Sequence, residues 1–212
     1  TPNIDKLANE SFQFINAYSS SPVCSPTRAS IMTGKHPARL NITDWIPGRD
    51  PKDMPLLGPK DLNQLPLNEI TIAEKLKESG YKTFYVGKWH LGSQGFYPEN
   101  NGFDINIGGF EKGKPMGGYY SPYKNPKLID GPVGEYLTDR LTDETINLIK
   151  NHDKKKQFAL FLSFYNVHTP IQANMNHVDY FNEKLSKMSD NLVRTKKEGE
   201  AITRLNQTNS KY

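Results

Sequence analysis

The chain has 212 residues and a formal net charge of +4, with 35% hydrophobic and 24% charged residues. This balance is typical of one folded α/β domain with a sizeable core, and it excludes a disordered chain. No run of lysines and arginines is long enough to indicate nucleic-acid binding, and no apolar stretch has the length of a membrane span or of a signal peptide. We therefore expect neither nucleic acid nor a membrane as a partner.

The first predicted elements lead to the single cysteine of the chain. Residues 1–9 read as a short helix with Pro2 near its start, and the alternation in residues 12–18 predicts a buried strand. A polar loop follows and ends at Cys24. One cysteine cannot form a disulfide within the chain, so Cys24 is either a packed thiol or a reactive group.

The residues around Cys24 favour the reactive group. Ser25 is a candidate N-cap, Pro26 suits the first turn of a helix, and Gly34 has the position of a C-cap glycine. Cys24 is thus predicted on a loop just before a helix N-terminus, where free backbone N–H groups and the helix dipole favour an anion. Arg28 lies about one turn later and can project to the same side. The arrangement suits a tetrahedral oxyanion; for Arg28 the alternative is a solvated surface charge.

The next predicted elements lead to a lysine and a histidine that follow a strand. Residues 40–69 are rich in Pro, Gly, Asp and Asn and are predicted to form a long irregular surface segment. A helix capped by Thr71 and a strand at residues 81–86 follow. Lys88 and His90 come directly after this strand, two residues apart, so in extended backbone they point to one side.

The last part of the chain completes an α/β pattern. A second irregular segment at residues 93–135 precedes an amphipathic helix at residues 138–151 and an apolar run at residues 158–164, which predicts a parallel strand buried on both faces. His168 follows that strand. The order predicts an α/β fold with a largely parallel sheet and helices on both faces, and it places the candidate groups at the carboxyl edge, where such sheets bind ligands.

Two long motifs contain most of the candidate residues. The first is Cys24-Ser25-Pro26-Thr27-Arg28, with Ile31-Met32-Thr33-Gly34 after it. The second is Gly80-Tyr81-Lys82-Thr83 with Gly87-Lys88-Trp89-His90. These motifs resemble the signatures of the formylglycine-dependent sulfatases in the alkaline-phosphatase superfamily, and the resemblance implies an alkaline-phosphatase-like fold. Val167-His168-Thr169-Pro170 is similar to sulfatases of polysaccharide-degrading bacteria, a weaker match.

The resemblance also implies a role for each candidate residue. Cys24 would be oxidised to formylglycine by the formylglycine-generating enzyme, and one oxygen of the hydrated aldehyde would attack sulfur. Arg28 would hold the diol, and Lys88 would bridge the nucleophile and a sulfate oxygen. His90 would take a proton during release of sulfate, and His168 would contact the sulfate and the leaving oxygen.

The family also implies one calcium ion with oxygen ligands. Within this chain only Cys24, as formylglycine, is expected to bind it. Asp190-Asn191 resembles a ligand pair of the family, but no apolar strand precedes it and no glycine follows it, so we do not expect it to be a ligand. Residues 1–212 are therefore interpreted as part of a single sulfatase catalytic domain that lacks its first strand and its C-terminal portion, and we expect little activity from this polypeptide alone.

The sequence predicts a sulfuric ester hydrolase that acts on a sulfated carbohydrate. Rings at Trp45, Tyr97, Tyr119 and Tyr120 are expected to be exposed and could stack on sugars. The alternatives are a formylglycine-dependent phosphodiester or phosphonate hydrolase, and an inactive module that binds sulfated glycans. Family habit implies a periplasmic or secreted protein, or a lysosomal one in a eukaryote.

Overall fold

The computed structural model describes residues 1–48, 55–56 and 58–187, and the elements in these residues follow the predicted α/β order. The helices are α1 Pro2–Asn9, α2 Cys24–Thr33, α3 Pro37–Leu40, α4 Ile72–Glu78, α5 Leu137–Asn151 and α6 Met175–Ser186. The strands are β1 Lys82–Gly87, β2 Ile105–Ile107 and β3 Phe158–Ser163, and a 3-10 helix spans Pro98–Asn100. No helix in this part of the chain is both long and apolar enough to cross a membrane.

The described strands form a parallel sheet in the order β2-β1-β3. Phe84 of β1 lies between Ile105 of β2 and Leu160 of β3. The chain leaves β1 toward one neighbour and later returns to the other side. Such a reversal opens a crevice at the carboxyl end of the central strand, and Lys88 and His90 follow β1 at that point.

Helices cover both faces of β1, as predicted. Tyr85 packs in one apolar cluster with Ala29 of α2 and Ala73 of α4. Val86, the next residue, points to the other face and packs in a second cluster with Leu141 of α5. The period of two along a central strand therefore divides the core into two layers.

Local signals explain why the helices begin and end where they do. The Thr71 hydroxyl accepts a hydrogen bond from the backbone of Glu74, whose carboxylate accepts one from the Thr71 backbone, so α4 has a complete capping box. Gly80 follows α4 with a φ of 85°, and Gly34 ends α2 with a φ of 68°. Both values lie in the left-handed region that favours glycine.

The strand predicted at residues 12–18 is wrong. These residues form no strand, and the Phe12 side chain is 98% exposed, with Phe14 and Tyr18 also exposed. A strand persists only when a neighbour pairs with its backbone and a second layer covers its side chains, and none of the described strands does so here. The alternating pattern suits a strand, but no described strand pairs with these residues.

Three further expectations change in the structure. The strand β3 is parallel, but its side chains are half-buried because β1 is its only neighbour among the described strands. The segment at residues 93–135 is not mere loop, since it contains the 3-10 helix and β2. Tyr119 is only 2% exposed, so it cannot stack on a sugar, and Trp45, Tyr97 and Tyr120 are half-buried.

Candidate active site

Cys24 lies in the first turn of α2 rather than on the loop before it. The helix begins at Cys24 with Val23 as its N-cap residue, and the predicted N-cap role of Ser25 is wrong. The buried Ser25 hydroxyl instead donates to the His90 carbonyl at 3.0 Å and accepts from the Ile46 amide at 3.0 Å. Ser25 therefore joins the start of α2 to the two segments that complete the site.

His90 faces the Cys24 thiol with one ring nitrogen and a backbone carbonyl with the other. Its Nδ1 atom lies 3.2 Å from Cys24 Sγ, and its Nε2 atom lies 2.6 Å from the Ile46 carbonyl oxygen. A carbonyl oxygen only accepts, so Nε2 carries a proton. Nδ1 is then the nitrogen that exchanges a proton with the group at residue 24.

The surroundings of Cys24 stabilise negative charge. Partial burial raises the pKa of the thiol, but the His90 hydrogen bond and the Lys88 charge outweigh burial and lower the pKa from 9.0 to about 6. The Ser25 amide at the start of α2 acts in the same direction. An unmodified Cys24 is therefore mainly a thiolate at neutral pH.

Lys88 and Arg28 supply the positive charge beside residue 24. Lys88 is 5% exposed, and this burial lowers the pKa of its ammonium, an effect that the Cys24 charge opposes and the Arg28 charge reinforces. The Arg28 guanidinium donates to the Lys88 carbonyl at 2.5 Å and to the Tyr85 hydroxyl at 3.2 Å. The Arg28 side chain thus holds the Lys88 backbone through these hydrogen bonds and does not donate one to the thiol.

A cavity of about 400 Å³ opens beside Cys24. Arg28 and Thr27 of α2 border it on one side, and Tyr85 and Ser163 border it from the strands β1 and β3. Its volume is within the range of small-molecule sites. Lys88, His90 and His168 are not among the residues that line it.

His168 does not join this group. Its side chain is exposed, and its Nδ1 atom donates to the carbonyl of the adjacent Thr169 at 3.0 Å. No hydrogen bond links the ring to Cys24, Lys88 or His90 in the described part of the chain. The structure therefore brings Cys24, Lys88 and His90 together with Arg28 beside them, whereas the predicted convergence with His168 is not seen.

Sequence reasoning also missed contributors to this geometry. Nothing in the irregular segment at residues 40–69 indicated that the Ile46 carbonyl would orient His90. Tyr85, whose hydroxyl donates to the Lys88 carbonyl, was read only as part of a strand. The alternation along β1 could have revealed Tyr85, since it faces the same side as α2.

The described residues do not fit a calcium site. Residues 1–48, 55–56 and 58–187 hold no group of three or more His, Cys, Asp or Glu side chains able to bind a metal. The neighbours of Cys24 are an imidazole and an ammonium, whereas calcium requires several oxygen ligands. Asp190 and Asn191 lie outside the described residues.

Comparison with known proteins agrees with the motifs and the sheet. The sulfatase family model matches residues 1–207. This chain is a member of the sulfatase family. It is 32% identical over 200 residues to arylsulfatase J of Mus musculus, covering 85% of this chain and 31% of the relative. It is also 31% identical over 197 residues to N-acetylglucosamine-6-O-sulfatase of Bacteroides thetaiotaomicron, covering 91% of this chain and 30% of the relative.

The fold of this sulfatase chain matches a structure solved with a sulfated sugar. The structure of BT4656 in complex with its substrate D-glucosamine-2-N,6-O-disulfate has a TM-score of 0.64 and 26% identity, covering 97% of this chain and 37% of that one. The predicted α/β class of the alkaline-phosphatase type is thereby confirmed. The chain spans about a third of the length of these curated relatives.

Proposed function

We propose that this sulfatase hydrolyses sulfate esters of a sulfated carbohydrate, with Cys24 converted to formylglycine by a formylglycine-generating enzyme. The observation that carries the proposal is the 3.2 Å contact between His90 Nδ1 and the Cys24 side chain, beside the Lys88 ammonium. The carbohydrate follows from the relatives, which include an N-acetylglucosamine-6-O-sulfatase and a structure that holds a disulfated glucosamine. A polar, charge-stabilising environment at residue 24 supports an oxygen nucleophile there.

The reaction has two steps, in which the sulfate is transferred first to residue 24 and then released. In the first, one hydroxyl of the hydrated aldehyde loses its proton and its oxygen bonds to sulfur, while the bond from sulfur to the sugar oxygen breaks. The sugar oxygen takes up one proton, so the step neither gains nor loses a proton overall. In the second, the remaining diol hydroxyl gives its proton to His90 Nδ1, the carbonyl forms again, and the bond to sulfate breaks. Lys88 offsets the negative charge near residue 24 in both steps, and Arg28 holds Lys88 through its backbone carbonyl.

We assign His168 to the sulfate and to the proton of the leaving oxygen. The present hydrogen bond occupies Nδ1, so Nε2 is the ring nitrogen that we assign to this role. The side chain is exposed, which leaves the ring accessible to a substrate. Histidine suits such proton transfer near neutral pH.

A calcium ion beside residue 24 belongs to the proposal only as an expectation from the family. Its oxygen ligands would have to come from residues other than those described. Family habit also makes a periplasmic, secreted or lysosomal location part of the proposal.

Mass spectrometry of the peptide that contains residue 24, prepared from the native source, tests the proposal. We expect an aldehyde at this position. An intact thiol would instead favour a module that binds sulfated glycans without cleaving them. A host that lacks the maturation enzyme also leaves a thiol, so native material is essential.

Turnover measurements separate sulfatase from phosphonate hydrolase. We expect the longest natural polypeptide that contains these residues to cleave an aryl sulfate much faster than an aryl phosphonate. The opposite preference would support the formylglycine-dependent phosphonate hydrolase. The 212-residue chain alone is expected to show little turnover, and robust cleavage by it would contradict that expectation.

A further inference from the structure

Gly113 lies directly against the imidazole of His90. A Cβ atom at residue 113 would be 2.9 Å from His90 Cγ and closer still to Cε1 and Nδ1. Real Cβ atoms essentially never come within 3.0 Å of an atom of a residue that is not their neighbour in the chain. The φ of Gly113 is outside the left-handed region, so a positive φ is not what requires glycine here. Contact with the ring is therefore what requires glycine at this position.

The His90 ring cannot move aside easily. Cys24 Sγ and the Ile46 carbonyl contact its two nitrogens from different sides, and His90 is only 5% exposed. Gly113 closes a further side of the same ring. A side chain at residue 113 would have to break one of the two nitrogen contacts or displace the backbone.

The segment at residues 110–113 also holds the His90 backbone. The His90 amide donates to the Phe110 carbonyl at 3.1 Å, and Phe110 is buried in the second apolar cluster. The Tyr97 hydroxyl donates to the Glu111 carboxylate at 2.7 Å, which anchors the same segment from another loop. His90 has a φ of 60°, a conformation that non-glycine residues adopt only when surrounding contacts hold them.

We propose that Gly113 is a positioning residue of this sulfatase, because the absence of a side chain lets residues 110–113 press on the imidazole and aim His90 Nδ1 at residue 24. The inference rests on the proposed role of His90 in the reaction. Gly113 touches no reacting atom and acts through the ring. The position of the His90 ring can be measured without turnover, so that result is independent of whether the proposed activity is found.

Alkylation of Cys24 by iodoacetamide at pH 7 reports the His90 position. The measurement uses the longest natural polypeptide that contains these residues, produced without conversion of residue 24, and mass spectrometry of the peptide that contains Cys24 restricts the signal to this one site. We expect Gly113→Ala to lower the alkylation rate about fivefold, because a displaced imidazole no longer stabilises the thiolate. Gly58→Ala is the matched control, since a Cβ there meets no atom of the described residues within 4 Å, and its rate should equal that of the parent.

A double-mutant cycle with His90→Ala shows whether Gly113 acts through the ring. We expect G113A/H90A to be alkylated at the same rate as H90A, and to be at least as stable as G113A because removal of the ring makes room for the methyl group. If G113A alone fails to fold, folding of the double variant supports the inference. An unchanged rate in folded G113A, or a double variant that unfolds while H90A folds, would overturn it.

Discussion

The two histidines of the proposed mechanism are held in opposite ways. His90 is buried, and both of its ring nitrogens have partners that come from other segments of the chain. His168 is exposed, and its ring contacts the adjacent Thr169. Its carbonyl, in contrast, accepts a hydrogen bond from the buried Tyr119 hydroxyl at 3.0 Å. Distant segments therefore hold the ring of His90, whereas in His168 a distant segment holds the backbone and the ring contacts only its sequence neighbour.

This difference shows which part of the site is already organised. The contacts of His90 hold Nδ1 toward residue 24 before any substrate arrives, which is the preorganisation that charge-stabilising sites need. The segment around His168 is anchored by further tyrosines, because Tyr136 donates to the Gln172 carbonyl and Tyr120 to the Ala173 carbonyl. The backbone around His168 is therefore already positioned, whereas the His168 ring is not held toward residue 24.

The largest expected effect separates the two histidines by activity. In the longest natural polypeptide that contains these residues, His90→Ala should lower kcat/KM for an aryl sulfate by about 10²–10⁴, the range for a lost proton-transfer group. His168→Ala should cost less, because its ring is not held at residue 24. Steady-state kinetics would check this order, and a greater loss for His168→Ala would reverse the comparison.

The pH dependence of thiol reactivity tests the preorganised half of the site. Because the pKa of Cys24 is lowered to about 6, the thiolate predominates above that pH, and alkylation of the unconverted chain should reach half its maximum near pH 6 instead of near 9.0. His90→Ala should move this midpoint upward, and His168→Ala should leave it in place. A parent midpoint near the ordinary value would contradict the geometry around Cys24.

Lys88→Met should give a smaller upward shift of the same midpoint than His90→Ala. Lys88 favours the thiolate through its charge, whereas His90 contributes both a hydrogen bond and charge. Methionine retains much of the buried aliphatic volume, so the change is chiefly electrostatic. The measurement is the same alkylation profile, and a shift that exceeds that of His90→Ala would assign the dominant role to the ammonium.

The smallest expected effect concerns the backbone of His168. Tyr119→Phe removes the hydroxyl that donates to the Tyr165 and His168 carbonyls, and it should lower the free energy of unfolding by about 1–2 kcal/mol. Cys24 alkylation should not change. Tyr123→Phe is the control, since that hydroxyl bonds to Glu135 instead.

Kinetics would then show whether Tyr119 serves His168 or only stability. We expect Tyr119→Phe to lower kcat of the natural polypeptide a few-fold more than Tyr123→Phe does. Equal losses in the two variants would indicate a structural role alone.

Sequence patterns predicted the fold where the information is local. The Thr71 cap of α4, the apolar stripe of α5 and the apolar run of β3 each occupy a few consecutive turns or residues, and the structure confirms these elements. The short strand β2 was missed because three residues in a segment rich in Gly and Pro carry too little pattern. The false strand at residues 12–18 shows the converse, since its pattern is strong but no described strand pairs with it.

The sequence by itself determined the kind of chemistry, because a cysteine at a helix start and a lysine and histidine after a strand are encoded over short spans. Only the tertiary structure decided how these groups are aimed. The Ile46 carbonyl that sets the proton on His90 is 44 residues away along the chain, and Gly113 approaches the same ring from another loop. Such contacts depend on how distant segments pack, and no local pattern in the sequence records them.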